Sequence, residues 1–205
     1  MRSTLKYLPT KDWTLFLDRD GVINHRLKND YVKSPDDFVF LEGVLESIAY
    51  FSAIFGKIIV VTNQQGIGKG LMTVAQLDQI HDKMLNAVKQ ANGRIDKVFF
   101  CPDLETSGSF NRKPMIGMGL MAKRHFPEIN FRCSIMVGDS LSDMRFGTRL
   151  KMHTVLIASD AVLARSNSHY IDYCFPGLLV FSNFLRTLHG TENGIHTKDA
   201  SRAAG

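Results

Sequence analysis

Short apolar runs alternate along this chain with longer stretches whose apolar residues recur every three or four positions. Trp13 to Leu17 is mostly apolar and stops abruptly at Asp18-Arg19-Asp20-Gly21, which predicts a buried strand over about 13–18. A polar connection of about 19–42 follows, where Ser34-Pro35 predicts a single helical turn. Val44, Leu45, Ile48, Phe51 and Phe55 keep helical spacing from near Gly43. Lys57 to Val61 is β-branched and predicts a second buried strand. Thr73 and Gln76 have capping-box spacing. Leu77, Ile80, Met84, Leu85 and Val88 give the helix behind them an apolar face, and His81 on that helix is expected to be solvated. Further strands are predicted near 95–100, over 134–137 and 154–157, and within 170–174. Further helices are predicted over about 115–125, 140–150 and 175–188, with a polar loop over about 101–112.

Strands alternating with helices predict an α/β domain, a Rossmann-like, mainly parallel sheet flanked by helices. In such sheets ligands sit beyond the carboxyl ends of the strands. Asp18, Thr62 and Asp139 all fall at predicted strand ends, so one crevice could hold all three. A single domain is expected over 1–188, with 1–12 as a polar lead-in and 189–205 as a flexible tail of small and polar residues.

Composition narrows the class. The chain has 205 residues, 44% hydrophobic and 22% charged, with a formal net charge of +5. That mild excess suits an anionic ligand. No apolar stretch approaches a membrane span, and no signal core opens the chain. Cys101, Cys133 and Cys174 are odd in number and widely spaced, which suggests a reducing compartment and a cytoplasmic protein. Nothing in the pattern demands more than a monomer or a weak homo-oligomer.

The chemistry-bearing residues are sparse and ordered. Asp18 and Asp20 are two apart and would point to one side of an extended strand. Two such charges need a cation or a shared proton. Gly21 permits a sharp turn or a close approach. Thr62 and Asn63 suit either a polar turn or the binding of a phosphoryl oxygen. Arg112 could grip a phosphate through two donors. Lys113 is either a solvated loop residue or the point charge that neutralises Asp18. Ser140 to Asp143 has capping-box spacing, so Asp143 could cap a helix, support a metal ligand, or both. Gly66-Ile67-Gly68-Lys69-Gly70 is followed by Leu71 and not Ser or Thr, so a nucleotide P-loop is rejected and a flexible substrate loop is expected. His25 is a candidate substrate contact; the remaining histidines are scattered.

Asp18-Arg19-Asp20-Gly21, Val61-Thr62-Asn63, Arg112-Lys113-Pro114 and Gly138-Asp139-Ser140-Leu141-Ser142-Asp143 resemble, in order, the four motifs of the haloacid dehalogenase superfamily of phosphatases. Thr62-Asn63-Gln64-Gln65-Gly66-Ile67 and Tyr31-Val32 resemble the histidinol-phosphate and heptose-bisphosphate phosphatase group within it. The resemblance implies a phosphomonoesterase that acts on a small phosphorylated metabolite such as D-glycero-D-manno-heptose 1,7-bisphosphate or histidinol phosphate. It implies Asp18 as nucleophile, ionised at neutral pH, and Asp20 as acid and then base, with a pKa raised by its surroundings. It implies Mg²⁺ held by the Asp18 carboxylate, the Asp20 carbonyl and the Asp139 carboxylate, with Asp143 behind them. Thr62, Asn63 and Arg112 would bind substrate, and Lys113 would balance charge.

Superfamily members often carry a cap domain, but neither usual insertion site here has room for one. Relatives in the heptose group often carry a structural zinc in the loop before Arg112. In this chain Cys101 is the only cysteine there and no histidine follows, so no structural zinc is expected. The motifs also resemble the phosphatase domain of polynucleotide kinase-phosphatase proteins, which keeps a polynucleotide 3′-phosphatase as the alternative. A phosphate-binding regulator without catalysis is a third possibility, disfavoured by the intact Asp18, Asp20, Lys113 and Asp139.

Overall fold

A computed structural model describes residues 9–159 and 161–200. The remainder of the predicted lead-in (1–8) and of the tail (201–205) lies outside the described residues. The first strand, β1 (Thr14–Leu17), is buried along its whole length. After it come α1 (Val44–Ile54), β2 (Lys57–Asn63), a single-turn α2 (Gln65–Gly68), α3 (Val74–Gln90) and β3 (Lys97–Cys101). The second half adds α4 (Gly117–His125), β4 (Ser134–Gly138), α5 (Leu141–Arg149), β5 (His153–Ile157), α6 (Ala161–Ser166), β6 (Tyr173–Phe175) and α7 (Leu178–Ala200).

The six strands form one sheet in the order β3-β2-β1-β4-β5-β6, and every pairing is parallel. β1 sits between β2 and β4, with Leu15 opposite both Ile58 and Ile135. Successive side chains on a strand point to opposite faces, and the core divides accordingly. Leu15, Leu17, Ile58, Val60 and Val137 pack with Phe51, Leu77 and Phe181 from α1, α3 and α7. Phe16, Ile59, Val61 and Met136 pack with Met118 and Phe146 from α4 and α5. A strand buried on both faces needs apolar residues at consecutive positions, which is why β1 and β2 read as unbroken runs. Full burial of each such side chain contributes roughly 2 kcal/mol.

The chain order puts the ends of β1, β2 and β4 side by side. The Asp18 N–H donates to the Val137 carbonyl at 2.9 Å, carrying the β1–β4 ladder one residue beyond the strand. The connection after β1 is a compact loop, in which the His25 N–H donates to the Val39 carbonyl and the Leu41 N–H to the Ile23 carbonyl. Among the described residues, neither this loop nor the segment between β2 and α4 holds a large cap.

Several element boundaries depart from the periodicity. The strand expected within 170–174 runs from Tyr173 to Phe175, because those residues pair with Val155 to Ile157. The last helix therefore begins at Leu178 and not at Phe175. Ser34-Pro35 opens a single turn as expected: the Asp37 and Phe38 N–H groups donate to the Ser34 and Pro35 carbonyls, and the Asp37 N–H also reaches the Ser34 hydroxyl at 3.4 Å. Asp37 closes it by accepting from the Ser34 N–H and hydroxyl at 3.0 and 2.9 Å. The glycine-rich segment after β2, read as a flexible loop, begins with the helical turn α2. The capping box of Thr73 and Gln76 is present.

Candidate active site

Asp18 is the first residue past β1, and its side chain is almost fully buried. Its Oδ1 accepts from the Arg19 N–H at 2.7 Å and lies 2.9 Å from the Lys113 ammonium. Burial is the strongest influence on this carboxyl. Together with the nearby Asp143 and Asp139 it outweighs the Lys113 charge and pushes the pKa up to about 7. Holding this carboxyl ionised as a nucleophile therefore calls for positive charge beyond Lys113. The carboxyl shares a closed space with two others, and one lysine does not balance three carboxylates.

Lys113 is no loop lysine in water; it is 2% exposed. Its Nζ donates to the Val61 carbonyl at 2.7 Å, and it pairs with Asp18 at 2.9 Å and Asp143 at 2.6 Å. An ammonium has three N–H donors, and these three acceptors account for them. Burial alone would lower the Lys113 pKa, but attraction to Asp143 and Asp18 reverses the shift and raises it. Asn63 holds the lysine's backbone, donating to its carbonyl and accepting from its N–H.

Asp20 lines the same cleft as Asp18, but its carboxylate finds its partners elsewhere. The chain leaves extended geometry after Leu17, and the N–H groups of Val22, Ile23 and Asn24 all turn back to the Arg19 carbonyl. Asp20 instead accepts from Arg19 through Nε and Nη2, at 2.8–3.2 Å. It also accepts from Asn24 Nδ2 at 2.9 Å and Gln64 Nε2 at 2.8 Å. Burial, the largest single influence, favours the neutral form. The Arg19 charge and the hydrogen bonds from Arg19, Asn24 and Gln64 more than offset it, so the pKa falls. The expected upward shift is therefore wrong for this arrangement, because Asp20 faces a cation and not an anion.

Asp139 follows β4, and its Oδ2 pairs with Arg26 at 3.1 Å. Burial, then repulsion from Asp143, raises its pKa against the pull of Arg26. Gly21, at φ 91°, lies against the Asp139 carboxyl, where any Cβ would collide with it. Asp143 caps the helix, one of the roles left open for it. Its Oδ2 accepts from the Ser140 N–H and hydroxyl at 3.1 and 2.6 Å, closing the capping box at the start of α5. Its other oxygen meets Lys113. Asp18, Asp139 and Asp143 each offer an oxygen within 4.8 Å of the others. An all-oxygen set whose like charges raise two of its pKa values fits a hard divalent cation. The Asp20 carboxylate is not part of that trio.

A cleft of about 1150 Å³ opens over these residues, lined by Asp18, Asp20, Thr62, Asn63, Arg112 and Lys113 among others. Thus the structure brings the expected nucleophile, acid–base and substrate residues to one place, with Asp139 and Asp143 beside them. His25 is exposed and outside the lining. His81 contradicts the expectation of a solvated residue, being 6% exposed. Its spacing from Leu77, Met84 and Val88 puts it on the buried stripe of α3, a signal the sequence carried. Arg19, Gln64 and Arg26 were missed as well. Arg19 was readable, since an arginine between two aspartates in a buried turn has to find an acidic partner.

The family profile described as polynucleotide kinase 3 phosphatase matches residues 14–176. Campylobacter jejuni D-glycero-alpha-D-manno-heptose-1,7-bisphosphate 7-phosphatase is 38% identical over 150 residues, 73% of this chain and 84% of that protein. The Mycobacterium bovis protein of the same name is 35% identical over 170 residues, 83% of this chain and 90% of that one. The solved D,D-heptose 1,7-bisphosphate phosphatase from B. bronchiseptica, complexed with magnesium and phosphate, superposes with a TM-score of 0.75 at 30% identity, over 85% of this chain and 98% of that one.

Proposed function

The chain belongs to the heptose-bisphosphate phosphatase group of the haloacid dehalogenase superfamily, and from that premise we propose that it hydrolyses one phosphomonoester of a D-glycero-D-manno-heptose 1,7-bisphosphate, with Asp18 as nucleophile. The observation that carries this reading is the Asp18 carboxylate at a strand end in the cleft, 2.9 Å from a buried lysine. Arg26, Lys28, Lys69 and Arg112 also line the cleft. Such a basic border supports a substrate that keeps a second phosphate outside the reacting one.

Asp18 attacks phosphorus, the sugar oxygen departs, and an aspartyl-phosphate forms. Lys113 keeps the attacking carboxylate aimed and partly neutralised. The Thr62 Oγ1 accepts from Gln64 Nε2 at 2.9 Å, which leaves its own proton for a phosphoryl oxygen. Asp20 gives a proton to the departing oxygen, then takes one from the water that attacks phosphorus and frees Asp18. The arriving phosphate dianion raises the proton affinity of Asp20 and so readies it for the first step. Mg²⁺ would be held by the carboxylates of Asp18 and Asp139 and the carbonyl of Asp20, with Asp143 supporting them through Lys113. When bound it neutralises charge on the transferring oxygens.

Relatives are named for both the α and the β anomer of the heptose, so both belong in the test. The profile match favours a second reading, a polynucleotide 3′-phosphatase. A panel of the two anomers, histidinol phosphate and a 3′-phosphorylated oligonucleotide, assayed with Mg²⁺ for phosphate release, separates them. The heptose bisphosphates are expected to have the highest kcat/KM. Preference for the oligonucleotide, with affinity falling steeply as salt rises, would replace this reading with the second.

A further inference from the structure

We propose that His81, on α3 and outside the cleft lining, is a positioning residue that holds Asp20 for proton transfer by way of Arg19. The inference rests on the acid–base reading of Asp20 given above. Arg19 is 1% exposed, so each of its N–H groups needs a partner inside the protein. Its Nε and Nη2 are directed to Asp20. Its Nη1 faces the His81 Nε2 at 3.4 Å. A guanidinium only donates, so Nε2 is the acceptor and His81 is neutral. Burial first, and the Arg19 charge second, hold His81 in that form by lowering its pKa to about 4.

The geometry gives His81 a task that packing alone does not. A guanidinium is planar, so an anchor at Nη1 fixes the plane in which Nε and Nη2 reach Asp20. Asp20 is thereby gripped from behind, while its side chain keeps 24% exposure and borders the cleft. Without the imidazole acceptor, Nη1 is left buried and unpaired. The fork then turns to find another acceptor and takes the Asp20 carboxylate out of line.

Leaving-group dependence tests this. Proton donation by Asp20 matters for a sugar oxygen and hardly at all for nitrophenolate. His81→Phe keeps the ring and removes the acceptor, whereas His81→Gln restores an acceptor. Read as kcat/KM, which covers the steps through departure of the leaving group and not the later attack of water, the activity of His81→Phe is expected to fall about tenfold on the sugar phosphate, to stay within about twofold on nitrophenyl phosphate, and to be rescued by His81→Gln. Nitrophenyl phosphate turnover also reports that the variant is folded. Equal losses on both substrates, or no loss on either, would overturn the proposal. Asp20→Asn, run alongside, separates the two levels. If it is selective for the sugar phosphate and His81→Phe is not, only the His81 role fails. If Asp20→Asn is itself unselective in kcat/KM, the acid role of Asp20 fails and His81 falls with it.

Discussion

Asn63 grips Lys113 by its backbone: Asn63 Nδ2 donates to the Lys113 carbonyl at 3.1 Å, and the Lys113 N–H donates to Asn63 Oδ1 at 3.0 Å. The two residues come from the end of β2 and from the loop before α4, fifty positions apart. The amide thus fixes where the Lys113 side chain starts, and with it the ammonium that faces Asp18 and Asp143. Asn63→Ala should cost about 2 kcal/mol of stability, since two hydrogen bonds are lost at about 1 kcal/mol each. It should also reduce kcat more than KM, because Asp18 loses its fixed counter-ion. Urea unfolding together with steady-state kinetics checks this; wild-type kcat in a clearly destabilised variant would show that the clamp does not serve the site.

Stability should depend on pH through His81. Its pKa is lowered from 6.5 to about 4 by burial and by Arg19. The unfolded chain therefore takes up a proton near pH 6.5 that the folded protein refuses until about pH 4. The stability from this residue is complete above 6.5 and lost as pH falls to about 4, by up to roughly 3 kcal/mol. The stability difference between wild type and His81→Phe, from urea midpoints at several pH values, should shift against wild type over that window. A difference constant from pH 7 to 4 would contradict the buried, neutral assignment.

Metal removal should abolish activity. Chelation leaves Asp18, Asp139 and Asp143 with Lys113 and Arg26 as their cations, too little positive charge for a dianion to approach. Mg²⁺ should restore turnover better than Ca²⁺, which takes more ligands at longer distance and spoils in-line geometry. Full phosphate release in excess chelator would refute the proposed mechanism.

Purified protein should carry no tightly held zinc. Cys101 is buried, its Sγ donates to Asp103 Oδ2 at 3.4 Å, and burial pushes the thiol pKa up. A lone protonated thiol is a poor zinc ligand. Elemental analysis of protein prepared without chelator should find far less than one equivalent. Near one equivalent, released on modifying Cys101, would show that the loop binds metal by another route.

The sheet was legible because β1, β2 and β4 are buried on both faces and therefore read as apolar runs. The strand ends were legible because each run stops at a polar residue. The turn from Asp18 to Gly21 was not, since side-chain direction there depends on hydrogen bonds to the Arg19 carbonyl that no spacing rule carries. That one turn hands the Asp20 carboxylate to Arg19, Asn24 and Gln64 and reverses the direction of its pKa shift. Histidine as a residue type suggests a solvated side chain, but the place of His81 on the stripe of Leu77, Met84 and Val88 buries it. The crowding of carboxylates around Asp18 was out of reach for a further reason. It depends on Asp139 and Asp143, which enter the same space from a distant strand end.

Asp18→Asn keeps nearly the same shape and removes the nucleophile, so the fold should persist with unchanged circular dichroism. Phosphate release from heptose 1,7-bisphosphate with saturating Mg²⁺ should fall to below about 1% of wild type, in line with loss of a covalent nucleophile. A variant that is free of deamidation and still turns over at more than a few per cent would contradict the claim that Asp18 attacks phosphorus.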